Sequence, residues 1–73
     1  MSHDLDLRGT RCPVSTMRLK KHLRSVPKGT TIWVLANDDD ARTDFPALIA
    51  KTGSEFKSFK EAGDHFAFEI EVR

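Results

Sequence analysis

The closing stretch of the chain, HFAFEIEV, sets the tightest limit on the fold. Phe66, Phe68, Ile70 and Val72 alternate without a fault against Ala67, Glu69 and Glu71, the period of two that marks a strand with one face in a core and the other in water. Such a strand needs a cover over its apolar side, and the rest of the chain has to supply it.

Three other segments read as strands. HDLDLR, residues 3–8, places Leu5 and Leu7 on one side. TTIWVLA, residues 30–36, is apolar on both faces and rich in β-branched residues, which predicts a central strand with Trp33 in the core. EFKSFK, residues 55–60, is a weaker strand, and AGD, residues 62–64, is a turn. Between the first two strands, Pro13 suits the first position of a helix, where its missing N–H is no loss, and Cys12 then falls at or next to the N-cap. Leu19, Leu23 and Val26 form one stripe of that helix, continued back by Ser15 and Thr16, while Val14, Met17, Arg18, Lys21 and Arg24 lie opposite; Pro27, Lys28 and Gly29 end it. NDDDARTDFPALIAKTG reads as a loop entering a second helix, regular from Pro46 to near Gly53, with Asp40 and Asp44 as N-cap candidates and with Phe45, Leu48 and Ile49 buried. The order βαβαββ predicts an α+β fold: a two-layer α/β sandwich in which two helices cover one face of a four-stranded mixed sheet, with residues 1–73 as a single domain.

At 73 residues there is room for one modest core and not for a large enclosed active-site cavity. The single cysteine excludes an internal disulfide framework and points to a reducing compartment. No stretch approaches the roughly 20 apolar residues of a membrane span, and the N-terminus lacks the apolar core of a signal peptide, so the expected location is cytoplasmic, with no membrane partner. The net charge of +1 hides an uneven distribution: Arg8, Arg11, Arg18, Lys20, Lys21, Arg24 and Lys28 occur without a single acid among them, whereas Asp38, Asp39, Asp40 and Asp44 crowd the middle.

Cys12 is where chemistry is expected. A thiol at a helix N-terminus sits beside unpaired N–H groups and the positive end of the helix dipole, which lower its pKa from about 8.5 and favour the nucleophilic thiolate. Arg11, and with it Arg8, push the same way. Geometry alone leaves a second reading open, in which Cys12 extends the Leu19 and Leu23 stripe as an inert apolar residue.

The motifs, taken together, are more specific. Leu5, Asp6 and Gly9 form L-D-x-x-G; Cys12 and Pro13 form Cys-Pro at a helix start; Lys20 and Lys21 follow on that helix; and Asp44, Phe45 and Pro46 open the second. In this combination the chain resembles the TusA/SirA family of small sulfur-carrier proteins over nearly its whole length. The resemblance implies the βαβαββ sandwich, a persulfide formed on Cys12, and a sulfur relay such as those serving tRNA thiolation, cofactor synthesis or sulfur oxidation. It implies two protein partners, a donor of cysteine desulfurase or rhodanese type and an acceptor, and no cofactor. Two positions depart from the family pattern: Ser15 stands where C-P-x-P has its second proline, and Asp39 stands where a D-P follows the central strand.

The basic helix surface, with Val14 and Met17 among Arg18, Lys20, Lys21 and Arg24, is either a solvated charged face or a docking surface for an acidic partner, and the all-basic segment favours docking. Direct nucleic-acid binding is not expected, because exposed aromatics on a sheet are scarce in this pattern. A noncatalytic interaction or regulatory domain with a structural cysteine is the first alternative, and an RNA-binding module is the second. His3, His22 and His65 are scattered with no second ligand at metal spacing, so no metal site is expected.

Overall fold

The computed structural model describes residues 4–11 and 13–73. Its elements run β1 (Leu5–Asp6), α1 (Val14–Ser25), β2 (Thr31–Ala36), α2 (Ala41–Lys51), β3 (Glu55–Ala62) and β4 (His65–Glu71). The four strands form one sheet in the order β1-β2-β4-β3. β1 runs parallel to β2, with Leu5 opposite Val34, and β4 is antiparallel to both β2 and β3.

The two-sidedness of β4 organises the rest. Phe66, Phe68, Ile70 and Val72 are buried, and their register partners on β2 bring Ile32, Val34 and Ala36 to the same side. Leu19, Leu23 and Val26 of the first helical segment and Ala41, Phe45 and Ile49 of α2 join them in one apolar cluster, with Leu7 from the end of β1. Two helices therefore cover one face of a mixed four-stranded sheet, the predicted α+β sandwich.

Three local expectations are corrected. The second helix starts at Ala41 rather than Pro46, so Asp44 lies in its first turn instead of capping it, and Asp40 holds the N-cap position without a side-chain cap bond. Burial decides this: Ala41 and Phe45 are both fully enclosed, which requires helical spacing upstream of Pro46, and the Asp44 N–H already reaches the Asp40 carbonyl at 2.9 Å. Pro46 forfeits one bond, the one its N–H would have given to Arg42. Second, Trp33 is only half-buried, on the face the helices leave open, where the Lys60 ammonium stands 5.3 Å from its ring centroid. Third, β3 extends to Ala62 and holds Phe56 and Phe59 at an edge, 38% and 39% exposed, with their rings edge-on or tilted against Phe68.

Candidate functional site

Because β1 and β2 are parallel, the loops that follow them emerge at the same end of the sheet, the position where ligands and reactive groups collect in parallel αβ units. The loop after β1 leads through Arg11 and Pro13 into α1; the loop after β2 carries Asn37, Asp38 and Asp39. A cavity of about 390 Å³ lies between them, lined by Gly9, Arg11, Asn37, Asp38 and Asp39.

Polar bonds hold the first loop. Arg8 folds back on Asp6 with two guanidinium bonds of 2.9 and 2.8 Å, and its own N–H donates to the same carboxylate at 3.0 Å. These bonds to Arg8 draw the Asp6 carboxyl down to about 2. Arg8 is thus engaged by Asp6, and the expectation that it supports a thiolate at Cys12 concerns a side chain outside the described residues. The Gly9 N–H donates to Asn37 Oδ1 at 2.9 Å, tying the loop to the end of β2. Gly9 has φ +82°, a conformation in which any Cβ is strained, so the turn depends on glycine here.

Cys12 lies outside the described residues; its flanks do not. Arg11 is exposed and shares its cavity with Asp38 and Asp39, so the cation beside the helix start faces carboxylates across the opening. Pro13 is exposed at the N-cap position of α1. The helical hydrogen bonds already begin upstream of it, with the Ser15 N–H donating to the Arg11 carbonyl at 3.0 Å. Beyond Pro13, the outer stripe of α1 is open: Val14 is 48% and Met17 67% exposed, followed by exposed Arg18 and Lys21. Lys20 is also exposed, and with Arg24 it lines a groove on the side of α1 that turns toward α2, so the structure separates these two from Arg18 and Lys21. Among the described residues no group of three His, Cys, Asp or Glu side chains gathers in a metal-holding cluster, and no helix is long and apolar enough to cross a membrane.

Comparison with known proteins gives this loop and helix a context. The family model described as sulfurtransferase TusA matches residues 3–72. The chain belongs to that family. Its TusA-family relatives include the sulfur carrier protein TusA of Allochromatium vinosum, 37% identical over 67 residues that cover 92% of this chain and 88% of the relative. A putative sulfur carrier protein of Neisseria meningitidis serogroup A is 40% identical over 52 residues, covering 71% and 70% of the two chains. The crystal structure of a SirA-like protein from Desulfitobacterium hafniense superposes with a TM-score of 0.74 at 22% identity, covering 94% of this chain and 95% of that one, and so shares the fold.

Set against the TusA pattern, the substitution at Ser15 has a physical consequence. A proline there has no N–H, whereas Ser15 donates one to the Arg11 carbonyl and is itself fully buried. The loop that flanks Cys12 therefore gains a backbone anchor in this chain. Sequence reading missed Asn37, whose one signal was a polar side chain at the carboxyl end of an apolar strand; its partner, Gly9, is 28 positions away.

Proposed function

We infer that this TusA-family chain is a cytoplasmic sulfur carrier in which Cys12 accepts a sulfane sulfur as a persulfide and relays it to an acceptor protein. The observation that carries the reading is the family match over residues 3–72, which includes Cys12 and Pro13 at the entry to α1. The Cys12 thiolate attacks the outer sulfur of a persulfide on the donor. The donor's S–S bond breaks, its own cysteine leaves as a thiolate, and a new S–S bond forms on Cys12. In the second step an acceptor nucleophile attacks the outer sulfur now on Cys12, and Cys12 leaves as a thiolate. No oxidant is consumed, because the sulfur keeps its oxidation level as it moves.

Within this reading Pro13 sets the helix start, and Arg11 together with the positive end of α1 favours the thiolate. Selectivity comes from docking, since a chain of 73 residues has little room for an enclosed site. Val14 and Met17 offer apolar contact next to the reacting residue, and Arg18 and Lys21 steer an acidic partner surface toward it, whereas Lys20 and Arg24 turn to the groove beside α2. The donor is a protein of cysteine desulfurase or rhodanese type, the acceptor a second protein, and residues 1–73 act as one domain between them.

Intact-mass spectrometry after incubation with a persulfide donor tests the assignment. The expected result is a gain of one sulfur atom that a reductant removes and that Cys12→Ser lacks. An unmodified Cys12 that also resists alkylation in the folded protein would sink it.

A further inference from the structure

A second groove lies away from the loops that follow β1 and β2. It is about 570 Å³ in volume, within the range of about 300–1,000 Å³ typical of ligand sites, and it opens between the C-terminal ends of α1 and α2 beside the end of β4. Leu23 of its floor is ten residues along α1 from Pro13, about 15 Å at the rise of an α-helix. Five cationic side chains line it, those of Lys20, Arg24, Lys28, Lys51 and Arg73, and no Asp or Glu is among its lining residues.

Arg73 is already engaged by Glu55 and Glu71. Lys20, Arg24, Lys28 and Lys51 form no ion pair among the described residues. Cations near a helix C-terminus ordinarily answer the negative end of its dipole, but that end amounts to only about half an elementary charge per helix. Two helix ends therefore account for about one of the four unpaired charges, and about three remain in excess. These like charges converge from three segments of the chain, an arrangement that suits an anion from outside.

The floor narrows the choice of anion. Leu23, Val26 and Val72 are buried there, and Leu48 is half-buried, offering an aliphatic contact at the centre of the cationic rim. No aromatic side chain lines the groove to stack a base, and three of the four free cations are lysines rather than the arginines suited to bidentate phosphate binding. We propose that this groove is a second docking site, which binds an acidic, leucine-bearing segment of a partner protein through Lys20, Arg24, Lys28 and Lys51 around Leu48. The site is independent of sulfur chemistry and leaves the entry to α1 free, so a partner held here can remain bound while Cys12 reacts.

The test is fluorescence anisotropy with a labelled synthetic peptide of glutamates interspersed with leucines, at low salt, on the full chain. Lys20→Glu with Lys51→Glu is expected to weaken binding by about tenfold or more, whereas Arg18→Glu with Lys21→Glu, on the outer stripe, changes it by less than about twofold. Replacing the leucines of the peptide by serines is expected to weaken binding as well, through the lost contact with Leu48. All four substituted residues are exposed, and circular dichroism verifies that both variants stay folded. Equal losses in the two double variants would reduce the effect to overall charge and overturn the proposal. So would absence of binding at millimolar peptide, or tighter binding of an oligouridine RNA of equal charge. Sulfur acceptance by Cys12, followed by mass in the groove variant, is expected to be unchanged, and its absence from the unsubstituted protein would concern the carrier reading alone.

Discussion

At its N-terminal end α1 meets a loop where cations and carboxylates stand together, whereas at its C-terminal end it meets cations alone. On the first side Arg8 is locked to Asp6, Gly9 to Asn37, and the Arg11 carbonyl to the Ser15 N–H, while Arg11 shares a cavity with Asp38 and Asp39. On the second, Lys20, Arg24, Lys28 and Lys51 surround a groove with no acid in its lining. The first arrangement uses its polar groups to fix a backbone position, as the proposed reaction between two sulfur atoms would require. The second leaves its charge unspent, as capture of a partner requires. On the proposed reading, one helix separates placement from recruitment.

The strongest way to break this division is to disable one end and assay the other. Cys12→Ser is expected to abolish sulfur acceptance entirely, and Lys20→Glu with Lys51→Glu to leave it intact, both read by intact mass. Loss in the groove variant as well would make the two ends a single site. Next in size is Leu19→Ala, midway along the buried stripe of α1 and fully enclosed. Its truncation is expected to cost about 3 kcal/mol, measured by urea denaturation, and to loosen both ends together. A loss confined to one end would mean that α1 does not transmit between them.

Asn37→Ala acts on one end only. Removing the acceptor of the Gly9 N–H is expected to cost about 1 kcal/mol and to speed amide exchange at Gly9, with no change in peptide binding at the groove. The smallest effect is in pH. The folded Asp6 carboxyl sits at about 2, below its ordinary 3.8, so the stabilisation from its bonds to Arg8 is present above the unfolded value and disappears as pH falls through about 2. An NMR titration of the Asp6 carboxyl should give a midpoint near 2, and Asp6→Asn should remove that acid-limb dependence. A midpoint near 3.8 would show that Arg8 is free in solution to reach elsewhere.

The parts legible in the sequence were those whose signal is local and periodic. β4 needed only its alternation, and α1 its stripe of Ser15, Leu19 and Leu23, all three buried as expected. The start of α2 was obscured because Pro46 is a strong local stop signal, whereas the burial of Ala41 and Phe45 that overrides it comes from strands elsewhere in the chain. Trp33 was misjudged for a related reason. An apolar run does not tell which of its faces is covered, and in a two-layer sandwich one is not. At the N-terminal end of α1 the flanks of Cys12 could be read from neighbouring residues, but Asn37 could not, since its role depends on the parallel pairing of β1 and β2. The groove was the least legible feature of all. Lys20, Lys51 and Arg73 are brought together by topology alone, and nothing in their sequence context relates them.

The sheet's margins have a consequence of their own. One outer strand, β1, is two residues long, and the other, β3, carries charged side chains along its length and breaks its register between Phe56 and Ser58. Short, charged or bulged borders resist the backbone-to-backbone pairing by which exposed strands polymerise. In a sulfur carrier that exchanges partners, such borders would leave encounters to side chains, which can let go.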